Sequence, residues 1–275
     1  MENIYKPIRC EVRDVITESP TIKTVVLKPE KEFSFLAGQF ASLTVPGVGE
    51  APFTPSSSPY DKEKIEFTVM RTGRVTDAIH NLKKGDIVGV RGPYGKPYPL
   101  DQYQGKEILL VGGGVGLAPL KALILALLES ITNYKRVVFC CGAKTPLDYI
   151  YKDMVLDKWH NLCEKYPLSF RITVDKKNET WKYGEGVVTK TLDGLDIDIK
   201  NSVAVVCGPP IMMKFTTLKL LEIGYKEGQI YLSMERKMYC GVGQCRHCLI
   251  GDVFVCKDGP VFTYNQIKDK PNIWA

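Results

Sequence analysis

The sequence contains no long hydrophobic run, and this absence excludes a membrane-spanning helix. None of its apolar stretches approaches the roughly 20 residues that such a helix needs. No apolar segment follows the first residues, Met1 to Lys6, so a secretory signal peptide is not indicated either. We therefore expect a cytoplasmic protein without a membrane span.

Blocks of basic residues are also missing. The formal net charge is +6, but the Lys and Arg residues are spread along the chain. This distribution argues against a dedicated nucleic-acid surface and mildly favours anionic ligands such as dinucleotides. The sequence shows no internal repeat and no low-complexity segment, and its 275 residues suggest about two domains of ordinary size.

Cysteine, in contrast, is abundant, and four of the nine cysteines form a compact group. Their spacing is Cys-x4-Cys-x2-Cys-x7-Cys, and its members are Cys240, Cys245, Cys248 and Cys256. The first three follow the spacing of plant-type [2Fe–2S] ferredoxins, whose fourth cysteine comes later in the chain. Gly241 and Gly243 would let the loop adopt left-handed backbone angles, so that N–H groups can point at the sulfurs. The group is thus a candidate ligand set for an iron–sulfur cluster.

Two other interpretations of this group stay open. Zinc sites usually show two separated Cys-x2-Cys pairs, and here only Cys245 and Cys248 form such a pair. Disulfides would need an oxidising compartment. His247 lies inside the loop, but four cysteines suffice as ligands. The other cysteines are odd in number and are expected to be buried free thiols: Cys10, Cys140, Cys141, Cys163 and Cys207.

Short apolar runs separated by turn residues dominate the first part of the chain. They predict strands at Ile8–Val15, Ile22–Leu27, Phe40–Val45, Ile65–Met70 and Ile87–Arg91, with one helical segment at Val75–Leu82. Many short strands at such spacing predict a small β barrel or sandwich.

From Lys106 onward, apolar strands alternate with helices. The predicted strands are Glu107–Gly112, Arg136–Cys141, Leu168–Val174, Val203–Cys207 and Ile230–Leu232, and the predicted helices are Leu117–Leu128, Leu147–Trp159 and Ile211–Ile223. Continuous apolar strands indicate burial on both faces, and the alternation predicts a doubly wound parallel sheet.

Two turns of this α/β region could hold a nucleotide. Gly112–Gly116 follows a strand and opens a helix, where glycines allow close approach and free N–H groups attract phosphate. The run is Gly-Gly-Gly-x-Gly, however, and not the usual dinucleotide fingerprint. Cys207–Pro210 follows another strand, at the sheet edge where ligands bind near a switch in strand order. A turn needed only for packing explains either motif as well.

Two segments of the β region have flavin-binding character. Ala51–Ser58 combines an aromatic ring with several hydroxyls, a mixture suited to a flavin, although a plain Ser/Pro loop is the alternative. Gly73–Thr76 opens a helix and offers a phosphate site, beside which Arg71 and Arg74 could pair with phosphate oxygens. The order of the motifs suggests an electron path, since nicotinamide delivers two electrons as hydride and a cluster accepts one at a time.

Over nearly its whole length the chain resembles the ferredoxin–NADP reductase-like flavoproteins, in the branch with a C-terminal [2Fe–2S] cluster. The matching strings are Ala37–Phe40, Gly49–Pro52, Gly73–Thr76, Arg91–Gly95, Gly208–Met212, Glu235–Cys240 and Cys256–Phe262. The last two strings are the most specific. They favour the γ subunits of NiFe (sulf)hydrogenases and the B subunit of anaerobic sulfite reductase over the electron-transfer subunit of dihydroorotate dehydrogenase.

The resemblance implies three domains and their ligands. These are a six-stranded antiparallel FAD-binding barrel at 1–102, a Rossmann-like parallel-sheet NAD(P)-binding domain at 103–232 and a [2Fe–2S] lobe at 233–275. FAD would lie against Pro52, Phe53, Thr54, Pro55, Val69, Met70 and Arg71, with its pyrophosphate at Gly73, Val75 and Thr76. NAD(P)H would lie on Gly113, Gly114, Val115, Gly116, Gly208 and Pro209, with Cys207 as the catalytic candidate near the nicotinamide. The cluster ligands would be Cys240, Cys245, Cys248 and Cys256.

The chain also departs from the wider family. The flavin motif usually opens with arginine, where this chain has Ala51, and Phe53 replaces a tyrosine. The Gly73 turn would then have to carry more of the phosphate charge. Lys144 could bind a 2′-phosphate or simply face solvent, so the choice between NAD and NADP stays open.

The function implied by the resemblance is that of an electron-transfer (diaphorase) subunit. It would form a hetero-oligomer with iron–sulfur and catalytic subunits, most closely of the NiFe hydrogenase type. The alternatives are the sulfite reductase type named above and a non-catalytic scaffold subunit that binds no flavin.

Overall fold

A computed structural model describes residues 3, 5–154 and 159–274 of the chain. The chain divides into two compact units. The first comprises Met1–Tyr98, Lys121–Ala126 and Met234–Val261, and the second Pro99–Leu120, Leu127–Ser233 and Phe262–Ala275. The predicted division into three domains at residues 102 and 232 stays a prediction.

The first unit contains a six-stranded antiparallel sheet. Its elements are β1 (Ile8–Ser19), β2 (Ile22–Pro29), β3 (Phe40–Val45), β4 (Gly49–Phe53), β5 (Ile65–Met70), helix α1 (Arg74–His80) and β6 (Ile87–Tyr94). The strand order is β4-β3-β6-β1-β2-β5. Beyond β4, Pro55 forms a bridge to Phe67 of β5, and the Ser56 N–H donates to the Glu66 carbonyl at 2.7 Å. The two edge strands therefore meet, and the predicted six-stranded barrel is confirmed.

Inward-facing side chains of all the strands fill the barrel. Fully buried examples are Val12, Val25, Leu27, Leu43, Phe67 and Val90. Strand β4 has no apolar alternation, and Pro52 within it argues against a strand, so the sequence pattern missed it. It is an edge strand paired only with β3 inside the sheet, and edge strands tolerate proline because one row of N–H groups is unpaired.

The strands and helices beyond residue 100 are those of an α/β fold. The strands are β7 (Glu107–Gly113), β8 (Arg136–Ala143), β9 (Leu168–Val174), β10 (Gly184–Glu185), β11 (Ser202–Cys207), β12 (Ile230–Ser233), β13 (Leu249–Ile250), β14 (Val253–Phe254) and β15 (Val261–Thr263). The helices are α2 (Leu117–Glu129), α3 (Trp159–Lys165), α4 (Pro210–Glu222), α5 (Val255–Asp258) and α6 (Tyr264–Ile267).

Seven strands form the second sheet, in the order β10-β9-β8-β7-β11-β12-β15. The pairs from β10 to β12 are parallel, and β7, β8 and β11 are buried almost throughout, as their apolar runs predicted. The chain proceeds outward from β7 through β8 and β9, then returns to place β11 on the other side of β7. The switch in strand order therefore lies between β7 and β11.

One predicted helix, Leu147–Trp159, starts later than expected. The chain makes a 3-10 turn at Pro146–Asp148 and becomes helical at residues 152–154; residues 155–158 lie outside the described residues, and helix α3 is described from Trp159. Tyr149 is fully buried and its hydroxyl lies 2.8 Å from the Cys141 sulfur, so burial of one side chain overrides the local helical pattern. Among the residues that the structure describes, no helix combines the length and apolar character needed to traverse a bilayer.

Candidate functional site

The cysteine loop directs main-chain N–H groups at its first sulfur. The Cys240 Sγ accepts hydrogen bonds from the N–H groups of Val242, Gln244 and Cys245 at 3.5, 3.2 and 3.4 Å. Burial opposes ionisation of this thiol, but the N–H donors outweigh it and lower the pKa of Cys240 to about 6. The loop therefore stabilises the thiolate, which is the form that binds metal.

Two of the remaining ligand candidates, Cys248 and Cys256, accept the same kind of contact. The Gly243 N–H lies 3.1 Å from the Cys256 Sγ, and the Cys256 N–H lies 3.5 Å from the Cys248 Sγ. Gly241 and Gly243 have φ angles of 78° and 79°, the left-handed values expected for a loop that wraps around a cluster. Burial and the hydrogen bond with Cys248 raise the pKa of Cys256 to about 12.

The donor set fits a two-iron cluster better than a single zinc ion. Cys248 and Cys256 are buried, while Cys240 and Cys245 are half-buried. The thiols form two hydrogen-bonded pairs, Cys240 with Cys245 and Cys248 with Cys256. A structural zinc ion needs four ligands around one point, whereas two irons share the four thiolates of a [2Fe–2S] cluster.

Strand β6 of the barrel and the residues just after it border this loop at both ends. At the first end, a Cβ added to Gly241 would lie 2.9 Å from the Tyr94 ring. At the other end, the Lys96 N–H donates to the Gly259 carbonyl at 2.6 Å, just beyond the last cysteine. Arg91 of the same strand is buried and reaches the loop as well. Sequence reasoning gave Arg91 no role, although an arginine inside an apolar strand was the available signal.

The two nucleotide-binding candidates lie together at one edge of the parallel sheet. Gly112 at the end of β7 is the register partner of Cys207 at the end of β11. The Gly113–Gly116 turn and the Cys207–Pro209 turn therefore emerge side by side, at the switch in strand order, which is where ligands of such sheets bind. The structure thus brings together all the residues predicted for NAD(P)H.

Gly116 is required by packing, because a Cβ there would lie 2.5 Å from the Cys207 carbonyl oxygen. A Cβ on Gly113 or Gly208 would most closely meet the flexible end of Met212, at 2.7 or 2.5 Å. Gly114 differs, because it has a φ of 57° and faces open space. Packing therefore explains the glycine at Gly116, whereas Gly114 is the glycine that is open to a ligand.

The residues predicted to contact the flavin ring lie on two neighbouring strands of the barrel. Pro52 and Phe53 end β4 half-buried, and Thr54 follows them. The bridge from Pro55 to Phe67 places this stretch beside the end of β5, where Val69 is buried and Met70 is 41% exposed. The barrel thus offers partly exposed apolar surface on adjoining strands, as a flat ring requires.

The predicted pyrophosphate site is the start of α1. The Thr76 hydroxyl accepts hydrogen bonds from the N–H groups of Thr72 and Gly73 at 2.8 and 2.9 Å and donates to the Gly73 carbonyl. This hydroxyl therefore shapes the turn itself, with Val75 half-buried beside it. Arg71 lies in an exposed ion pair with Asp77, at 2.6 Å. The phosphate roles of these residues stay a prediction.

Comparison with known proteins agrees with this architecture. The oxidoreductase FAD-binding domain matches residues 8–98, and the oxidoreductase NAD-binding domain matches residues 110–217. The iron–sulfur cluster binding domain of dihydroorotate dehydrogenase B matches residues 235–268. The predicted cofactors are thereby confirmed as FAD, a nicotinamide dinucleotide and an iron–sulfur cluster, each with its own domain.

Similar proteins cover nearly the full chain. The γ subunit of sulfhydrogenase 2 from Pyrococcus furiosus is 37% identical over 86% of this chain and 85% of its own length. The γ subunit of sulfhydrogenase 1 from the same organism is 35% identical, over 99% and 96%. The probable dihydroorotate dehydrogenase B (NAD(+)) electron transfer subunit of Methanocaldococcus jannaschii is 37% identical, over 96% and 92%.

A solved structure shares the fold. The structure of an NADH-dependent reduced ferredoxin–NADP oxidoreductase superimposes with a TM-score of 0.75 at 26% identity, over 94% of this chain and 89% of that one. The hydrogenase and dihydroorotate relatives match equally well, so the predicted preference between them is not decided by identity. The chain belongs to the ferredoxin–NADP reductase-like flavoproteins, in the branch that carries an iron–sulfur domain and includes the γ subunits of sulfhydrogenases and the electron-transfer subunits of dihydroorotate dehydrogenase B.

Proposed function

We propose that this chain is the electron-transfer (diaphorase) subunit of a NiFe hydrogenase-type complex, passing electrons between NAD(P)H and a catalytic partner subunit. The observation that carries the proposal is the loop of Cys240–Cys256, whose N–H groups point at the sulfurs, in a chain with FAD-binding and NAD-binding domains. When bound, nicotinamide supplies hydride, FAD exchanges electron pairs for single electrons, and a [2Fe–2S] cluster carries single electrons.

The protein's own residues bind and orient these groups. Gly114 and Val115, half-exposed at the end of β7, accept the nucleotide phosphates, and Gly208 and Pro209 lie in the neighbouring turn. Cys207, at the end of β11, would lie near the nicotinamide by the family resemblance. No side chain has to act as acid or base, because the cofactors carry the chemistry and the protein sets their position and potential.

The exposed side of the loop is suited to exchange with a partner. Cys240 and Cys245 are the half-buried ligands, and Tyr239 beside them is 47% exposed. Its ring packs edge-on against His247 at 4.5 Å. We propose that the redox centre of the partner approaches this side.

The cofactors can be tested on the isolated protein, prepared without oxygen. We expect flavin absorption, bound iron, a paramagnetic signal after reduction and dye reduction by NADH or NADPH. Cys245→Ser should remove the paramagnetic signal, whereas Cys163→Ser, a partly exposed cysteine outside the loop, should keep it. Protein without iron and with four reactive loop thiols would overturn the proposal, and protein without flavin would favour the scaffold alternative.

A second candidate is the electron-transfer subunit of a dihydroorotate dehydrogenase, favoured by the 37% identity to the relative from Methanocaldococcus jannaschii. The strings Glu235–Cys240 and Cys256–Phe262 favour the hydrogenase type by resemblance, and the anaerobic sulfite reductase type is the remaining alternative. Anaerobic co-purification with mass identification tests the choice. Nickel-containing subunits support the hydrogenase type, while a partner that oxidises dihydroorotate or reduces sulfite contradicts it.

A further inference from the structure

Arg91 is a buried arginine, and every N–H donor of its guanidinium group makes a hydrogen bond. Its side chain is 5% exposed, and an arginine carries five N–H donors. Nε and Nη2 donate to the two carboxylate oxygens of Glu50, the Nε contact being 2.9 Å long. Nη1 donates to the Tyr94 hydroxyl at 2.9 Å. The remaining donors reach main-chain carbonyls of the cysteine loop, at Cys240 over 2.9 Å and at Tyr239 over 2.5 Å.

These contacts tie the first cysteine of the loop to two strands of the barrel. Arg91 lies on β6, and Glu50 lies on β4, directly before the stretch predicted to contact the flavin. The loop has little regular structure of its own near Cys240, so two charge-assisted hydrogen bonds from a rigid strand restrict its position strongly. Tyr94 adds to this restraint, because its hydroxyl binds Arg91 and its ring lies against Gly241.

The same arrangement places a pair of opposite charges beside the sulfur ligand. The guanidinium group contacts the main chain of Cys240 itself, and Glu50 lies on the other side of that group. The Arg91 side chain is shielded from solvent, with an exposure of 5%, so its field at the cluster is less screened than that of surface charges, whereas Glu50, with a side-chain exposure of 34%, is screened more. Burial and hydrogen bonding around a cluster are known determinants of its reduction potential.

We propose that Arg91 is a positioning residue for the [2Fe–2S] cluster, which fixes the main chain at Cys240 and, together with Glu50, sets the reduction potential. This inference rests on the proposed ligand role of Cys240. It goes beyond that role, since it predicts opposite effects for the two members of one ion pair. Removing a negative charge favours adding an electron, whereas removing a positive charge opposes it.

The test is a redox titration of the cluster, followed by paramagnetic resonance, in four variants of the complete chain. Glu50→Gln should shift the midpoint potential upward, and Arg91→Gln should shift it downward. Arg91→Lys keeps the charge but loses the forked geometry, so its potential should stay near that of the wild type while iron is lost to a chelator about 10-fold faster or more. Arg13→Gln is the matched control, because Arg13 forms an exposed ion pair with Glu11 in the same barrel, at 3.3 Å.

The outcomes separate this inference from the proposed function. A wild-type protein without a cluster signal would refute the ligand assignment. A normal wild-type signal with no shift in Glu50→Gln, or with shifts of the same sign in Glu50→Gln and Arg91→Gln, would overturn only the role of Arg91. If Arg91→Gln alone cannot retain iron while Arg13→Gln can, that loss supports the positioning role. The potential of Glu50→Gln then decides the electrostatic part, and an unshifted value overturns it.

Discussion

The nucleotide turn after β7 and the cysteine loop after β12 both depend on glycine, but for different physical reasons. In the nucleotide turn, Gly116 is required because the backbone of the Cys207 turn lies where a Cβ would be. In the cysteine loop, Gly241 and Gly243 are required because the chain adopts left-handed angles there. The first turn is shaped by neighbouring strand ends, and the second by its own dihedral angles.

The secondary structure around the two regions differs as well. The nucleotide turn joins a seven-residue strand to a 13-residue helix, and both are largely buried. The cysteine loop is flanked by strands of two residues and a helix of four. Hydrogen bonds to sulfur and the side chains of β6 therefore supplement the few buried apolar residues of this region, such as Ile250 and Val255. A parallel sheet builds its site before any ligand binds, whereas the cysteine loop depends on its cluster and on the barrel.

The largest expected effect is the loss of the cluster in Cys248→Ser. This cysteine is fully buried, so a serine there removes a proposed thiolate ligand that no solvent-exposed group can replace. We expect iron retention to fall by at least about 10-fold, with the paramagnetic signal lost. NAD(P)H binding, followed by fluorescence titration, should be unchanged, since the nucleotide turn is built independently. Loss of nucleotide binding in Cys248→Ser, but not in Cys163→Ser, would show that the two regions are not independent.

The next largest effect is on stability, in the nucleotide turn. Gly116→Ala should lower the free energy of unfolding by about 3 kcal/mol, because the new Cβ meets rigid backbone at 2.5 Å. Gly114→Ala should cost only about 1 kcal/mol, which is the strain of a left-handed angle in open space. Chemical denaturation followed by circular dichroism measures both. Equal costs for the two variants would contradict the packing interpretation of Gly116.

A smaller difference should separate two glycines with similar dihedral angles. Gly241 and Gly47 have φ angles of 78° and 75°, but only Gly241 lies against a ring, that of Tyr94. Gly47→Ala should cost about 1 kcal/mol, and Gly241→Ala about 2 kcal/mol. The shift in the thermal unfolding midpoint measures the difference. Identical shifts would mean that the Tyr94 ring moves freely, which its hydrogen bond from Arg91 argues against.

The smallest effect concerns pH and the ion pair behind the cysteine loop. The hydrogen bond from Arg91 lowers the pKa of Glu50, although burial opposes the shift. A lowered pKa in the folded state means that Glu50 stabilises the protein above its ordinary pKa and that this contribution is lost as pH falls through the lowered value. Glu50→Gln should therefore cost about 1 kcal/mol at neutral pH and little in acid.

Denaturant titrations at neutral and acidic pH check this prediction. The wild-type protein and Glu50→Gln should become more alike as the pH decreases, while the exposed-pair control Glu11→Gln should show no such convergence. A cost for Glu50→Gln that is equal at both pH values would contradict the assignment of the pH dependence to this pair.

Much of the fold could be predicted from periodicity. Strands β3, β5 and β9 have the predicted bounds, because each is a short apolar run bordered by turn residues. Strand β4 was missed because Pro52 and Glu50 interrupt its apolar pattern. Its position at the edge of the sheet explains why a proline is tolerated there. The helix predicted at Leu147–Trp159 is absent at its start, where Tyr149 is buried against Cys141, a contact that local propensity does not contain.

In the candidate site, too, some features could be predicted from the sequence and others depend on the tertiary structure. The spacing of the four cysteines and the order of the motifs are properties of the chain alone, and from them the sequence by itself determined the cluster loop and the two cofactor domains. The tertiary structure decided which side chains support these motifs. Arg91 and Cys240 are 149 positions apart, and no local pattern reports that they meet. Their contact exists because the closed barrel presents β6 to a loop from the far end of the chain, and buried donors must find acceptors.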